Sequence, residues 1–211
     1  MIKAALFDLD GVVFDTEPQY SKFWGAQFKQ YYPGQHGMEQ RIKGMTLTQI
    51  YEQYFAGRKD EQVKITDRLN AYEQEMSYEY IPGFEGFIKD LRQKGIKTAV
   101  VTSSNLEKME KVYLQHPELV EWFDAILTSE NFERSKPDPD GYLKGAARLG
   151  IDPADCVGFE DSVNGLKAVK AAGLYTVGLA TTNSRELVGE LADVVADDFT
   201  QINPSTFSVD L

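Results

Sequence analysis

The chain has one cysteine, Cys156, in 211 residues. A single thiol cannot build an internal disulfide framework or a cysteine-rich zinc site. Cys156 precedes Val157-Gly158-Phe159, so a small buried hydrophobe is expected there and not a reactive thiol. Positive charge is also scarce: 22 lysines and arginines face 33 acids, a net charge of −11. That balance argues against nonspecific binding to nucleic acid or to anionic membranes, which needs a positive surface. No apolar run approaches the roughly 18 residues of a membrane span, and the N-terminus lacks the basic region and longer apolar stretch of a signal peptide. The expectation is a soluble protein of a reducing compartment, in a bacterium the cytoplasm, with a monomer as the default. Internal repeats and low-complexity tracts are missing as well. Two histidines, His36 and His116, sit beside loop residues and are expected to be exposed.

What is present starts at the N-terminus. An apolar run, Ala4 to Phe7, ends abruptly in Asp8-Leu9-Asp10-Gly11. A short apolar run closed by a turn signal reads as a buried strand, and carboxylates at its end cannot share that burial. The strand therefore delivers Asp8 and Asp10 to the carboxyl edge of a sheet, where open α/β folds place ligands. An Asp-x-Asp pair alone is weak, since chance predicts roughly one in a chain of this length. A second pair, Asp138/Asp140, lies in a Pro-rich loop with no strand before it.

Residues 15–79 read as helices, over 17–31, 47–55 and 60–78, with aromatics at helical spacing (Tyr20, Phe23, Trp24, Phe28, Tyr31). That stripe is read as core packing. Thr46 is a plausible N-cap, with Gln49 completing a capping box. From Pro82 onward, amphipathic helices alternate with apolar strands at 96–101, 124–128, 156–159, 175–178 and 192–195. Strands alternating with helices of about ten residues imply a parallel sheet. The fold class is therefore α/β: a doubly wound, Rossmann-like parallel sheet, 1–14 and 80–211, with a small all-helical cap inserted at 15–79. The segment from Asn203 to Leu211 is expected to be a loosely packed tail.

In such a sheet the strand ends share one edge. Asp8 and Asp10 end the first strand, Thr102-Ser103 the second, and Glu160-Asp161 another. Several carboxylates in one cleft resist ionising together unless a hard cation such as Mg²⁺ neutralises them. The Thr102 hydroxyl suits an anionic oxygen and Lys136 adds positive charge. Together these groups describe phosphoryl transfer through a carboxylate nucleophile.

Four stretches, in order, carry a family resemblance: Leu6-Phe7-Asp8-Leu9-Asp10-Gly11-Val12-Val13-Phe14-Asp15-Thr16, Val100-Val101-Thr102-Ser103-Ser104, Ser135-Lys136-Pro137-Asp138-Pro139, and Phe159-Glu160-Asp161-Ser162-Val163-Asn164-Gly165. The chain resembles a haloacid dehalogenase superfamily hydrolase of the helical-cap subgroup, in the β-phosphoglucomutase-like and sugar-phosphatase branch. The resemblance implies Asp8 as nucleophile and Asp10 as general acid/base. It implies Mg²⁺ held by Asp8, Asp161 and the Asp10 backbone carbonyl, with Glu160 in direct contact with the metal or one layer behind. Thr102, Ser103 and Lys136 would hold the phosphoryl group, and Lys43 could reach a small phosphorylated metabolite from the cap.

Mutases of the branch carry a histidine soon after the Asp-Thr and an arginine after the cap's Lys-Gly turn. The corresponding residues here are Tyr20 and Leu47. Tyrosine, with an ordinary pKa near ~10, is a poor proton shuttle at neutral pH, and leucine cannot clamp a second phosphate. Hydrolysis of phosphate monoesters, of sugars or polyols, is therefore expected over phosphomutase activity. Inorganic pyrophosphate remains as another substrate.

Overall fold

Residues Ala4–Phe7 are fully buried because β1 lies at the middle of a parallel sheet with helices on both faces. The computed structural model describes residues 1–43 and 45–203. Among them, β1 is joined by β2 (Lys97–Val101), β3 (Ala125–Leu127), β4 (Cys156–Glu160), β5 (Tyr175–Leu179) and β6 (Val194–Ala196). Their spatial order is β3-β2-β1-β4-β5-β6, with every pairing parallel. The chain builds outward from β1 through β2 to β3, then returns to β4 on the other side. The strand order reverses between β1 and β4, and a crevice opens there at the carboxyl ends.

Side-chain alternation along β1 splits the core in two. Ala5 and Phe7 belong to a cluster with Phe84, Phe87, Phe159 and Phe199, in which the Phe7 ring stacks on Phe159 at 4.6 Å. Ala4 and Leu6 face Tyr142 and Ala146 on the other side. The helices flanking the sheet are α5 (Phe84–Gln93), α6 (Leu106–Gln115), α7 (Leu119–Trp122), α8 (Asp140–Leu149), α9 (Val163–Ala171) and α10 (Arg185–Gly189). None of the described helices is long and apolar enough to cross a membrane.

Between β1 and α5 come α1 (Glu17–Tyr31), α2 (Met38–Arg41), α3 (Leu47–Tyr54) and α4 (Lys59–Glu75). They bury an apolar cluster of their own, with Phe23, Trp24, Phe28, Ile50, Phe55, Ile65 and Leu69. The aromatic stripe of α1 is thus packing. Thr46 and Gln49 form the capping box read from the sequence, with both reciprocal bonds made. The chain leaves and re-enters the sheet layer at adjacent points: the Asp15 N–H donates to the Glu79 carbonyl at 2.8 Å, and Phe14 bridges to Tyr80.

Several expectations need correction. The turns α2, α7 and α10 are too short, at four or five residues, to show a helical period. Helix α4 stops at Glu75, since the following residues turn extended and return Tyr78 beneath Phe14 at 5.5 Å. The edge strand β6 starts two residues later than its apolar run suggested, because Asp193 spends its carboxylate on the Thr176 N–H. His116 is not exposed: it packs on Phe14 and Tyr80 at 4.8 and 4.7 Å, while His36 is exposed. The expected tail beyond Asn203 lies outside the described residues. Cys156 is buried, and burial pushes its thiol up to about 11. Phe7 sits where five aromatic rings meet it. Phe7→Ala is expected to cost about 3–5 kcal/mol of unfolding free energy, read as a lower urea midpoint with unchanged slope.

Candidate active site

Register places the acids before any side chain is considered. Phe7 pairs with Val100 on β2 and with Phe159 on β4, so the next residue on each strand, Asp8, Val101 and Glu160, arrives at the same level. Strand β4 carries Glu160 to the edge and Asp161 one residue past it. One ligand oxygen from each of Asp8, Glu160 and Asp161 lies within 4.8 Å of the others.

Lys136 reaches into this group from the loop before α8. Its Nζ donates at 2.6 Å to Asp8 Oδ1, at 2.6 Å to Glu160 Oε1, and at 3.1 Å to the Val101 carbonyl. Burial would push the lysine down, but the two carboxylates outweigh it and raise it. Glu160 is fully buried. Its Oε1 also accepts from the Tyr142 hydroxyl at 2.8 Å, while Oε2 accepts from the Asp161 and Ser162 N–H groups and the Ser162 hydroxyl. Five donors thus fill its two oxygens, and it braces Lys136.

Asp8 and Asp161 are in a different condition. Burial raises Asp8 to about 7, with Lys136 opposing and Glu160 and Asp10 adding to the rise. Asp161 is raised well above the usual carboxylate range by burial and by the charges of Glu160 and Asp8. Its Oδ1 is buried without a hydrogen-bond partner, which is costly for a charged oxygen. An all-oxygen donor set with an unsatisfied carboxylate fits a hard divalent cation.

The Asp10 carboxylate turns elsewhere. Its Oδ1 accepts from the Thr16 hydroxyl at 2.6 Å and its Oδ2 from the Ser104 hydroxyl at 3.0 Å. Lys108 Nζ donates to both oxygens at 2.6 Å. Burial works against the charge, but these donors prevail and hold Asp10 below its ordinary value. Thr16 thereby forgoes capping α1, whose first turn receives no side-chain cap.

Thr102 is buried at the end of β2 and accepts from the Ser104 N–H at 3.0 Å. It is not the cap of α6; Asn105 is, accepting from the Lys108 N–H at 2.9 Å. Thr102 and Ser103 line a cavity of about 410 Å³ together with Asp8, Asp10, Lys136 and Asp161. Lys43, Tyr20 and Leu47 line it from the helical side. Lys43 bonds to the Thr182 carbonyl at 3.2 Å. The Tyr20 hydroxyl donates to Glu73 at 2.7 Å, and burial, with Asp10 and Glu73 nearby, pushes it well above the ordinary tyrosine value. The second Asp-x-Asp pair stays outside: Asp138 pairs with Arg134, and Asp140 accepts from the Glu133 N–H and from Lys144.

Two glycines let these parts approach. Gly11 has φ +77°, and a Cβ there would stand 2.0 Å from Asp161 Oδ2. At Gly165, in the first turn of α9, a Cβ would stand within 2.0 Å of both Glu160 oxygens. Lys108 went unnoticed in the sequence because no pattern marks a lysine inside a helix as facing inward. Thr16 and Ser104 lay in the quoted stretches without an assigned partner.

A model of the haloacid dehalogenase-like hydrolases matches residues 2–173. The chain belongs to that family. It is an enzyme of the phosphoric monoester hydrolase class. The chain is 29% identical over 207 residues to validoxylamine A 7'-phosphate phosphatase of Streptomyces hygroscopicus subsp. limoneus, covering 96% of each. It is 30% identical over 198 residues to β-phosphoglucomutase of Bacillus subtilis, covering 84% of this chain and 83% of that one. Among solved structures, β-phosphoglucomutase from Clostridium difficile superposes with a TM-score of 0.80 at 25% identity, over 98% of this chain and 95% of that one.

Gly165→Ala is the test of the brace. Displacing the Glu160 carboxylate should misplace Lys136 and lower kcat by roughly 10–100-fold, with circular dichroism unchanged. Gly86→Ala, on open helix surface, should leave kcat alone and stabilise by about 0.5–1 kcal/mol.

Proposed function

We propose that the protein is a Mg²⁺-dependent phosphatase for small phosphate monoesters of sugars or polyols, working through an aspartyl phosphate. The observation that carries this reading is Asp8, a carboxylate at the switch point of the sheet with a buried lysine on one oxygen and the unsatisfied Asp161 beside it.

In this reading Asp8 is the nucleophile. One of its oxygens bonds to phosphorus as the ester P–O bond breaks, and Asp10 passes a proton to the departing oxygen. Water then attacks the phosphorus of the aspartyl phosphate, Asp10 takes its proton, and the Asp8–phosphorus bond breaks to release phosphate. Lys136, the Thr102 hydroxyl and the Ser103 backbone N–H hold the phosphoryl oxygens. Asp8 and Asp161, with the Asp10 backbone carbonyl, would hold Mg²⁺, and Glu160 serves them by fixing Lys136. The cation supplies charge neutralisation for the clustered carboxylates and for the phosphoryl oxygens. The helical unit, residues 15–79, acts as a cap that shapes the pocket and sheds water.

The remaining wall of the cavity supports a hydroxyl-rich leaving group. The helical unit contributes Glu17, Glu39, Asn70 and Glu73, acceptors suited to hydroxyls, and no arginine lines the cavity among the described residues. A second phosphate has no bidentate partner there. Tyr20, donating to Glu73, offers no proton relay near neutral pH. Both features favour water over a second sugar hydroxyl as acceptor, although a β-phosphoglucomutase is among the relatives. The phosphatase acting on validoxylamine A 7'-phosphate supports a hydroxyl-rich monoester.

A panel of sugar, polyol and aryl phosphates, with β-glucose 1-phosphate and pyrophosphate included, should give the highest kcat/KM on sugar or polyol monoesters, with phosphate released and no isomer formed. Asp8→Asn should lower the rate by at least roughly 10³-fold; near-native turnover would rule out the aspartyl phosphate. A second expectation follows from Asp8. Because its carboxyl is raised to about 7, protons compete with the cation below that pH and leave it free above. The rise in Tm caused by Mg²⁺ should therefore grow from pH 5 to pH 8, and Asp8→Asn should flatten that growth.

A further inference from the structure

Lys108 has no part in the scheme above, yet its side chain is only 3% exposed and lies in the wall of the same cavity. It is held there from both ends. Its backbone N–H is fixed by the cap residue Asn105, at the start of the helix that follows β2. Its Nζ bonds both oxygens of Asp10 at 2.6 Å and stands 4.9 Å from the centre of the Tyr20 ring on α1. No other cation bonds Asp10 among the described residues, and Lys136 is spent on Asp8, Glu160 and Val101.

A carboxylate that must meet a leaving oxygen needs a fixed orientation, because it has two oxygens and a soft terminal torsion. Thr16 and Ser104 each touch one oxygen. Among the described residues Lys108 alone touches both, and through the ring of Tyr20 it joins that orientation to the helical unit. We propose that Lys108 is a positioning residue for the proton-transfer step, orienting the Asp10 carboxylate toward the leaving oxygen while touching neither phosphate nor leaving group. The proposal rests on the role assigned to Asp10.

It predicts a dependence on the leaving group. An alkyl oxygen needs a proton to depart, whereas p-nitrophenolate does not. The measurement is kcat/KM, which ends at leaving-group release, for the best alkyl phosphate of the panel and for p-nitrophenyl phosphate. Lys108→Met keeps the length and the contact with Tyr20 but removes the charge. It should lower kcat/KM roughly 10–100-fold on the alkyl ester and less than about threefold on the aryl ester, and Lys108→Arg should restore most of the loss. Retained turnover of the aryl ester also shows that the variant is folded. Asp10→Asn should show the same alkyl-to-aryl split, and Lys108→Met added to Asp10→Asn should cost nothing further, since coupled groups are not additive.

Equal losses on both esters would mean that Lys108 is a structural ion pair or a phosphate ligand. Additive losses in the double variant would mean that it contacts the leaving group itself. Either result overturns the proposal while leaving Asp10 in place. An Asp10→Asn enzyme with no split would instead overturn the assignment of Asp10, and this proposal with it.

Discussion

The repulsion among acids crowded at one sheet edge is the constraint on which the rest of the molecule depends. Asp8, Glu160 and Asp161 are brought together by strand register, and burial strengthens their mutual repulsion. Lys136 relieves part of it by bonding Asp8 and Glu160 at once. Removing the lysine would leave uncompensated charge in the interior, which is far more destabilising than the intact pair is stabilising. The five donors on Glu160 complete one half of the balance; the unsatisfied Asp161 oxygen would leave the other half to the cation proposed above.

That electrostatic centre explains features which look unrelated. Gly165 must lack a side chain so that α9 can start against Glu160, and Gly11, at a positive φ, must lack one beside Asp161. Tyr142 is buried in the core, yet its hydroxyl ends on Glu160. Asp10 is kept apart from the cluster by a separate set of donors, Thr16, Ser104 and Lys108, so neighbouring acids on one loop hold opposite conditions. Asp8 is raised toward neutrality and Asp10 is held charged. The nucleophile proposed at Asp8 must be ionised to attack, and the charge of a cation held beside it would favour that form.

Contacts between the helical unit and the sheet layer are both polar and apolar. Lys43 reaches the Thr182 carbonyl, Gln49 bonds Asn164, and Asn70 meets Glu107. The apolar cluster of α1 to α4 meets one of the two clusters that flank the sheet through Tyr20 and Tyr72, which pack against both. A seam of a few polar bonds and two shared aromatic rings would suit the cap role proposed for residues 15–79.

Much of this was legible beforehand because it is written in short-range patterns. The apolar run ending in Asp8, the Thr46-Gln49 capping box and the alternation of helix and strand all depend on residues a few positions apart, and the parallel pairing follows from that alternation. The family's motifs named Asp8, Asp10, Lys136 and Asp161 in advance, and the fold brings them to one cavity. Short turns such as α2 and the burial of His116 were not legible, since neither has a local period. Nor could the sequence reveal that Glu160 is consumed by Lys136 and Tyr142, or that Lys108 faces Asp10 across 98 positions of chain. Backbone elements follow from periodicity and capping, which are local. The partner of a buried charge is set by register, helix rotation and rotamer together, and only the folded chain decides those.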